Sequence, residues 1–265
     1  MAVYAIGDIH GFSGQLDRAL RLVEADGGAD APVVFLGDYT DRGPDSRGVL
    51  DRLIEGREAG RPWRFVQGNH DRMFLNFVTT GEQHDANIES RKSWLNAALG
   101  GPATLGSYGL GGEPMFLLSA NGGWETLASY EVDPDRVMSG QELIGAAAEA
   151  IPDAHIRFLS DLELWVEHDD LLFVHAGLRP GIPLEQQVED DLIWIRQGWL
   201  DDTRDHGRLV VHGHTALEHP AHHGNRVNMD GGAGYGRPLV PAVFENGEVF
   251  TLTEQGRAPL RPETG

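Results

Sequence analysis

Five short apolar runs in this chain end in the same kind of segment, with glycine beside aspartate, asparagine or histidine. Run 3–6 leads into Gly7-Asp8-Ile9-His10-Gly11, and run 33–36 into Gly37-Asp38-Tyr39-Thr40-Asp41-Arg42-Gly43. Run 64–66 leads into Gly68-Asn69-His70-Asp71, run 171–174 into His175-Ala176-Gly177, and run 209–211 into His212-Gly213-His214-Thr215. Runs this short, rich in β-branched residues and closed by turn residues, read as strands. Three more follow at 226–229, 240–244 and 249–252, with Asn246-Gly247 as a hairpin turn between the last two. Amphipathic stretches separate the early runs: 15–23 carries leucines at 16, 20 and 22, and 46–57 has apolar residues at 49, 50, 53 and 54. Strands alternating with helices predict βαβ units and a partly parallel sheet, an α/β fold whose C-terminal part is richer in strand.

In open α/β sheets the loops at the carboxyl ends of the strands converge on one crevice. Aspartate, histidine and asparagine would meet there, beside glycines that let the backbone turn sharply and leave room for a substrate. Carboxylate and imidazole donors without sulfur suit manganese, iron or zinc and not a soft metal. Each motif alone is weak, since any of them could be a turn. Five in order, each behind an apolar run, form a strong signal.

Composition narrows the chemistry. Of 265 residues 40% are apolar, enough for one large core or for one core carrying an insertion. There is no cysteine, which excludes disulfides, thiolate ligands and cysteine nucleophiles. The formal net charge is −20, which argues against nucleic acid or an anionic membrane as the main partner. An anionic substrate would then need a local positive site, built from metal ions and arginines; Lys92 is the sole lysine. The N-terminal segment has neither a basic stretch nor a long apolar run, so it does not read as a secretory signal. No run reaches the ~20 apolar residues that span a bilayer, and a cytoplasmic location is the default expectation.

Residues 84–160 differ from the rest. They read as helical and loopy, with many glycines, and as an insertion between the third and fourth core strands of one 265-residue domain. A short repeat lies inside: GGPATLGSYG at 100–109 is echoed by GGWETLASYE at 122–131, a shared GGxxTLxSY. Two copies are too few for a solenoid. A local duplication accounts for them, with a paired element capping a site as the sharper alternative.

Taken together, GDIHG, GDYTDRG, GNHD, FVHAG and VHGHT resemble the calcineurin-like metallophosphoesterases. Within them they resemble the phosphoprotein phosphatase branch, and its bacterial members most. NGGWETLASY, HAGLRPGIPLEQQ, DLIWIR and NMDGGAGYG also fit bacterial members, so the likeness spans nearly the whole chain. The resemblance implies a two-sheet β-sandwich flanked by helices, with the insertion over a dinuclear metal centre. It implies that Asp8 and His10 bind a first divalent ion, that Asp38 bridges both, and that Asn69, His175 and His214 complete the second. Manganese heads the candidates, with iron or zinc possible. Two such ions lower the pKa of a water shared between them, which as hydroxide attacks phosphorus in line. His70 would protonate the leaving alkoxide. Asp41 would fix its tautomer, and Arg42 and Arg196 would grip the phosphate oxygens.

The implied function is a metal-dependent phosphomonoesterase of the serine/threonine phosphoprotein phosphatase type. The alternative is a hydrolase of diadenosine tetraphosphate or another small phosphate ester at the same site. A non-catalytic metal- or phosphate-binding regulator ranks third, because every catalytic position is filled. The pattern departs from the branch at Asp71, where the protein phosphatases usually carry glutamate, and at Gly231, where bacterial members usually carry threonine. GNHD also occurs in the related diadenosine tetraphosphate hydrolases, but those typically lack the aspartate before the DRG arginine, which Asp41 supplies here. Asp71 is expected to support its neighbours and not to react. His212, His219, His222 and His223 suggest a third metal site, but 219–223 reads better as a polar loop. Trp94, Trp124, Trp165, Trp194 and Trp199 read as packing. Tyr235 fits equally at the crevice or away from it.

Overall fold

The computed structural model describes residues 2–262 apart from 89 and 111–139. Two sheets face each other. The first has the order β11-β10-β9-β1-β2-β3 and the second β4-β5-β6-β8-β7. In the first sheet β1 (Val3–Ile6), β2 (Val33–Phe35) and β3 (Trp63–Phe65) are parallel. The strands β9 (Ala242–Glu245), β10 (Glu248–Thr253) and β11 (Gly256–Pro259) extend it antiparallel. In the second sheet β5 (Leu171–Val174), β6 (Leu209–His212) and β8 (Arg226–Asn228) are parallel, flanked antiparallel by β4 (Trp165–His168) and β7 (Ala221–His222).

The strands read as unbroken apolar runs because both faces are covered. Side chains alternate across a strand, and the packing follows that alternation. Val3, Ala5, Val34, Leu36, Phe173 and Val211 point between the sheets. Their neighbours Tyr4, Ile6, Val33 and Phe35 point outward under α1 (Ser13–Gly27), α2 (Ser46–Glu58) and α3 (Asn69–Thr80). Leu172, Val174 and Val210 pack on the other outer face with Leu192, Ile193 and Trp199, the first two from α7 (Glu189–Trp194).

The expected runs and both early helices are present within a residue or two at most ends. The hairpin turn is also present: Asn246 and Gly247 have φ of 53° and 77°, the paired positive values that suit a two-residue hairpin. Strands β4, β7 and β11 lie outside the expected runs. β7 falls within the 219–223 segment read as a loop, where Ala221 and His222 pair with Asn228 and Val227. Only pairing distinguishes such a two-residue edge strand from a loop.

The described parts of 84–160 include α4 (Gly101–Ser107), α5 (Gly140–Ala150) and α6 (Asp153–Ser160). They do more than shade the crevice. Trp94, Leu105, Tyr108, Ala147, Ile151 and Phe158 belong to the same core cluster as β1 and β2. The second copy of the repeat, with Trp124, lies outside the described residues.

Candidate active site

Because β1, β2 and β3 run parallel, and so do β5, β6 and β8, their carboxyl ends emerge on one side of the sandwich. The loops after them carry Asp8 and His10, Asp38 to Arg42, Asn69 and His70, His175, His214, and Asp230. All of these except Arg42 are buried. The loop backbones are unusual. Of eight non-glycine residues with positive φ among the described residues, five are here: His10 (50°), Asp38 (52°), Asp41 (75°), Arg42 (65°) and His214 (67°). Such conformations cost about 1–3 kcal/mol each and persist where the surroundings over-determine them. Gly37 shows the crowding: its φ is 95°, and a Cβ there would lie 2.6 Å from the Gly68 nitrogen.

Asp38 is the centre of the arrangement. Ligand atoms of His10, Asp38 and His70 converge within 4.8 Å of one another, and so do those of Asp38, His175 and His214. Among the described residues these are the only such groups of acid and imidazole, so His212, His219, His222 and His223 form none. The hydrogen bonds fix which atoms face inward. His10 Nδ1 donates to the Thr40 carbonyl at 2.9 Å, leaving Nε2 bare and 3.5 Å from Asp38 Oδ2. His175 Nδ1 donates to the Leu36 carbonyl at 2.7 Å, leaving Nε2 bare at 3.0 Å from Asn69 Oδ1 and 3.4 Å from Asp38 Oδ1. His214 Nδ1 lies 2.8 Å from the same Asn69 oxygen. At His175 an unprotonated ring nitrogen therefore faces two oxygen acceptors, which is unfavourable unless a cation lies between them. The donor set, all imidazole nitrogen and carboxylate or amide oxygen, fits first-row divalent ions.

The electrostatics agree with this. Burial holds the pKa values of His10, His175 and His214 below the ordinary histidine range, with Arg42 adding to the effect on His10 and Arg196 to that on His175 and His214. The rings are neutral at neutral pH and their lone pairs are available. Burial pushes Asp38 up, but His175, His70, His10 and His214 outweigh it and hold the carboxyl low. Asp8 is the opposite case: burial, then Asp230 and Asp38, raise it well above the carboxylate range. Its oxygens accept from the His214 amide at 3.2 and 3.1 Å, and it belongs to neither converging group.

His70 lies in the first group by distance, although the sequence sets it apart from the ligands. Its bonds separate it as well. Nδ1 donates to Asp41 Oδ2 at 2.7 Å, and Nε2 faces Arg42 Nη2 at 3.1 Å. The other guanidinium nitrogen, Nη1, lies 2.5 Å from His10 Nε2. Arg196 Nη2 donates to the His214 carbonyl at 3.3 Å. Asp71 supports its neighbours as expected: it accepts from the amides of Tyr39 (2.9 Å), Thr40 (3.3 Å) and Gly68 (3.1 Å), tying the second loop to the third.

Two cavities open from this point. One, about 300 Å³, is lined by Asp38, Asn69 and His70 together with Asn87, Ile88, Leu99 and Trp194. The other, about 340 Å³, is lined by Thr215, Asp230, Tyr235 and Arg237. Arg42, Arg196 and His214 line both. Tyr235 thus borders the crevice, with its ring centroid 4.9 Å from the Arg42 guanidinium carbon. Arg237 and Asn87 carried no signal in the sequence beyond lying in glycine-rich or polar stretches. Asp230 was not singled out, although it lies in NMDGGAGYG, a stretch that fits bacterial members, with two glycines after it. A larger cavity, about 660 Å³, lies at the opposite, strand-start end; Asp169, Asp170, Glu245 and Glu248 line it, which disfavours an anionic ligand.

The calcineurin-like phosphoesterase family model matches residues 1–245, and the chain belongs to that family. A 68-residue stretch is 46% identical to a symmetrical bis(5'-nucleosyl)-tetraphosphatase of Ralstonia nicotianae, covering 26% of this chain and 22% of that one. A 73-residue stretch is 41% identical to serine/threonine-protein phosphatase 1 of Salmonella typhimurium, covering 28% and 31%. These matches thus span less than a third of the relatives' own lengths. An asymmetrical bis(5'-nucleosyl)-tetraphosphatase of Bacillus cereus is 22% identical across 97% of this chain and 96% of its own. A crystal structure of a proposed diadenosine tetraphosphatase shares the fold, with a TM-score of 0.60 at 23% identity over 98% of this chain and 94% of that one. Among the described residues no helix is long and apolar enough to cross a membrane.

Proposed function

We propose that the chain hydrolyses dinucleoside polyphosphates of the bis(5'-nucleosyl) tetraphosphate class, using two divalent ions held around Asp38. The observation that carries the substrate class is the pair of cavities sharing Arg42, Arg196 and His214. A phosphate chain laid across the two guanidiniums leaves one cavity on each side for a nucleoside, with Trp194 and Ile88 in one and Tyr235 in the other as apolar surfaces. The tetraphosphatases among the relatives support the same reading.

In this reading Asp8, His10 and Asp38 hold one ion, and Asp38, Asn69, His175 and His214 the other. Bound there, the ions supply an activated water and offset phosphate charge. The chain's own groups do the rest. Arg42 and Arg196 orient the reacting phosphoryl group with planar donor forks and stabilise the charge that builds on its oxygens. His10 Nε2, which Arg42 Nη1 faces at 2.5 Å, would hold the ion in place of that contact. His70, its Nδ1 proton held by Asp41, presents Nε2 to protonate the leaving oxygen.

One observation favours a second reading, the serine/threonine phosphoprotein phosphatase. The buried Asp41–His70 pair is suited to a poor alkoxide leaving group, whereas a nucleotide leaves readily. The test is turnover with manganese on diadenosine tetraphosphate, a phosphoserine peptide and an aryl phosphate. The proposal expects kcat/KM on the tetraphosphate to exceed that on the peptide by at least about tenfold, since the second cavity is used only by the former. A peptide preference of that size would install the second reading.

A further inference from the structure

We propose that Trp94 and Thr104 are positioning residues for His70, acting through the Asp41 carboxylate. The inference rests on the reading of His70 as the proton donor. Asp41 is fully buried, and among the described residues its carboxylate has three side-chain partners. Oδ2 accepts from His70 Nδ1 at 2.7 Å and from Trp94 Nε1 at 2.8 Å; Oδ1 accepts from Thr104 Oγ1 at 2.6 Å. Thr104 Oγ1 in turn accepts from the Asp41 amide at 2.8 Å and lies 3.1 Å from Ser46 Oγ. Its one proton and two lone pairs are all used. The carboxylate is thus held at both oxygens and its backbone is pinned at φ 75°.

Both residues come from the segment between α3 and α6, more than fifty positions from Asp41 in the chain. The packing around them is rigid. Trp94 lies 4.7 Å from Phe77 and 5.6 Å from Phe74, ring to ring. Thr104 is on α4, which also touches the catalytic loop at Gly100, whose carbonyl accepts from the Arg42 amide at 3.3 Å. Ser107 Oγ accepts from the Arg47 amide at 3.0 Å. Four of the shared positions in the first repeat copy, Gly100, Thr104, Ser107 and Tyr108, thus join Trp94 in attaching the segment to the catalytic loop and to α2. Without the two donors, Asp41 would be a buried carboxylate held only by the imidazole it must orient, and its angle to the ring would loosen. Angular error at the dyad lowers proton-transfer efficiency without altering how phosphate is gripped.

The variants are Thr104→Val, which keeps shape and loses the hydroxyl, Thr104→Ser, which restores it, Trp94→Phe, which keeps the ring and loses the N–H, and His70→Asn. Each is assayed with manganese on phenyl phosphate and on p-nitrophenyl phosphate, a poor and a good leaving group. Folding is checked by thermal unfolding, and the His70 tautomer by imidazole nitrogen NMR on the metal-free protein. Thr104→Val and Trp94→Phe are each expected to lower kcat on phenyl phosphate about tenfold. KM should hold within about twofold, and the loss on p-nitrophenyl phosphate should be much smaller. Thr104→Ser should recover most of the rate, and the Nδ1–H tautomer should lose its dominance in Thr104→Val. If Thr104→Val does not fold, Trp94→Phe carries the comparison. Equal losses on both esters, or unchanged rates and tautomer while His70→Asn shows the leaving-group effect, would overturn the positioning role alone. No leaving-group effect in His70→Asn would remove the proton-donor reading, and this inference with it.

Discussion

Asp38 occupies a backbone conformation that L-residues rarely adopt, at φ 52°, and its carboxylate reaches imidazoles from both sheets. The sequence pointed to this residue through the glycine before it and the strand before that. His70 illustrates a different kind of legibility: the resemblance set it apart from the ligands, and the structure adds the partners of its two nitrogens, Asp41 at one and Arg42 at the other. We expect His70→Asn to lower kcat on phenyl phosphate by two orders of magnitude or more, the usual worth of a general acid. Its unfolding temperature should stay close to that of the wild type, which calorimetry would check. Arg196→Ala should act otherwise: loss of one phosphate fork raises KM and lowers kcat/KM by roughly 10- to 1,000-fold, read from initial rates across substrate concentration. Asp71 is structural by its contacts. Asp71→Ala leaves the buried amides of Tyr39 and Gly68 without acceptors, a loss of roughly 1–3 kcal/mol or more, measurable by urea unfolding. A Glu at that position, one methylene longer, cannot meet both amides without shifting a loop.

The strands and helices that carry the site were largely readable, because strands buried on both faces give apolar runs that stand out against glycine-rich loops. β4, β7 and β11 were not, for a physical reason. They are edge strands whose residues are mostly exposed or half-buried, and their pairing partner defines them more than their own composition does. The segment 84–160 was the least legible. Its glycines suggested a loose cap, yet Trp94, Leu105 and Phe158 are core residues. The C-terminal end of α4 connects to α6 and α2 through a chain that runs from buried to exposed: Tyr108 Oη lies 2.7 Å from His155 Nδ1, and His155 Nε2 lies 2.9 Å from the exposed Asp51 Oδ1. Burial is the main cause holding the His155 pKa below its ordinary value, against the opposing pull of Asp51. A depressed pKa in the folded state means that the unfolded chain takes up the proton first as pH falls. Stability contributed at this position is therefore complete above the unfolded histidine value of about 6.5 and declines as pH drops below it. A His155→Gln variant should show a smaller loss of stability than the wild type between about pH 7 and pH 5, followed by urea unfolding at each pH. An equal loss in both proteins would show that the proton is taken up elsewhere.

At the scale of the whole molecule, the sandwich is an instrument for bringing two sets of parallel strand ends to one place. Phe173 of the second sheet meets Phe244 of the first at 5.9 Å between ring centroids, fully buried between the layers. Phe173→Ala should cost about 3–5 kcal/mol, and because it separates the sheets it should weaken metal binding as well as folding. The residues needed for the site lie from position 8 to position 230, so no local element can assemble it. The net charge of −20 would repel a polyphosphate at long range, and in the proposed function Arg42, Arg196 and the two cations offset that repulsion.

If Asp38 holds two cations at once, the metal content of the protein must show it. Purified protein is equilibrated with manganese, dialysed, and its bound metal counted by atomic emission, for the wild type, Asp38→Ala and His214→Ala. Two ions per chain in the wild type, one strong site left in His214→Ala, and neither held tightly in Asp38→Ala is the predicted result. Two ions retained by a folded Asp38→Ala protein, or none in the wild type, would contradict it.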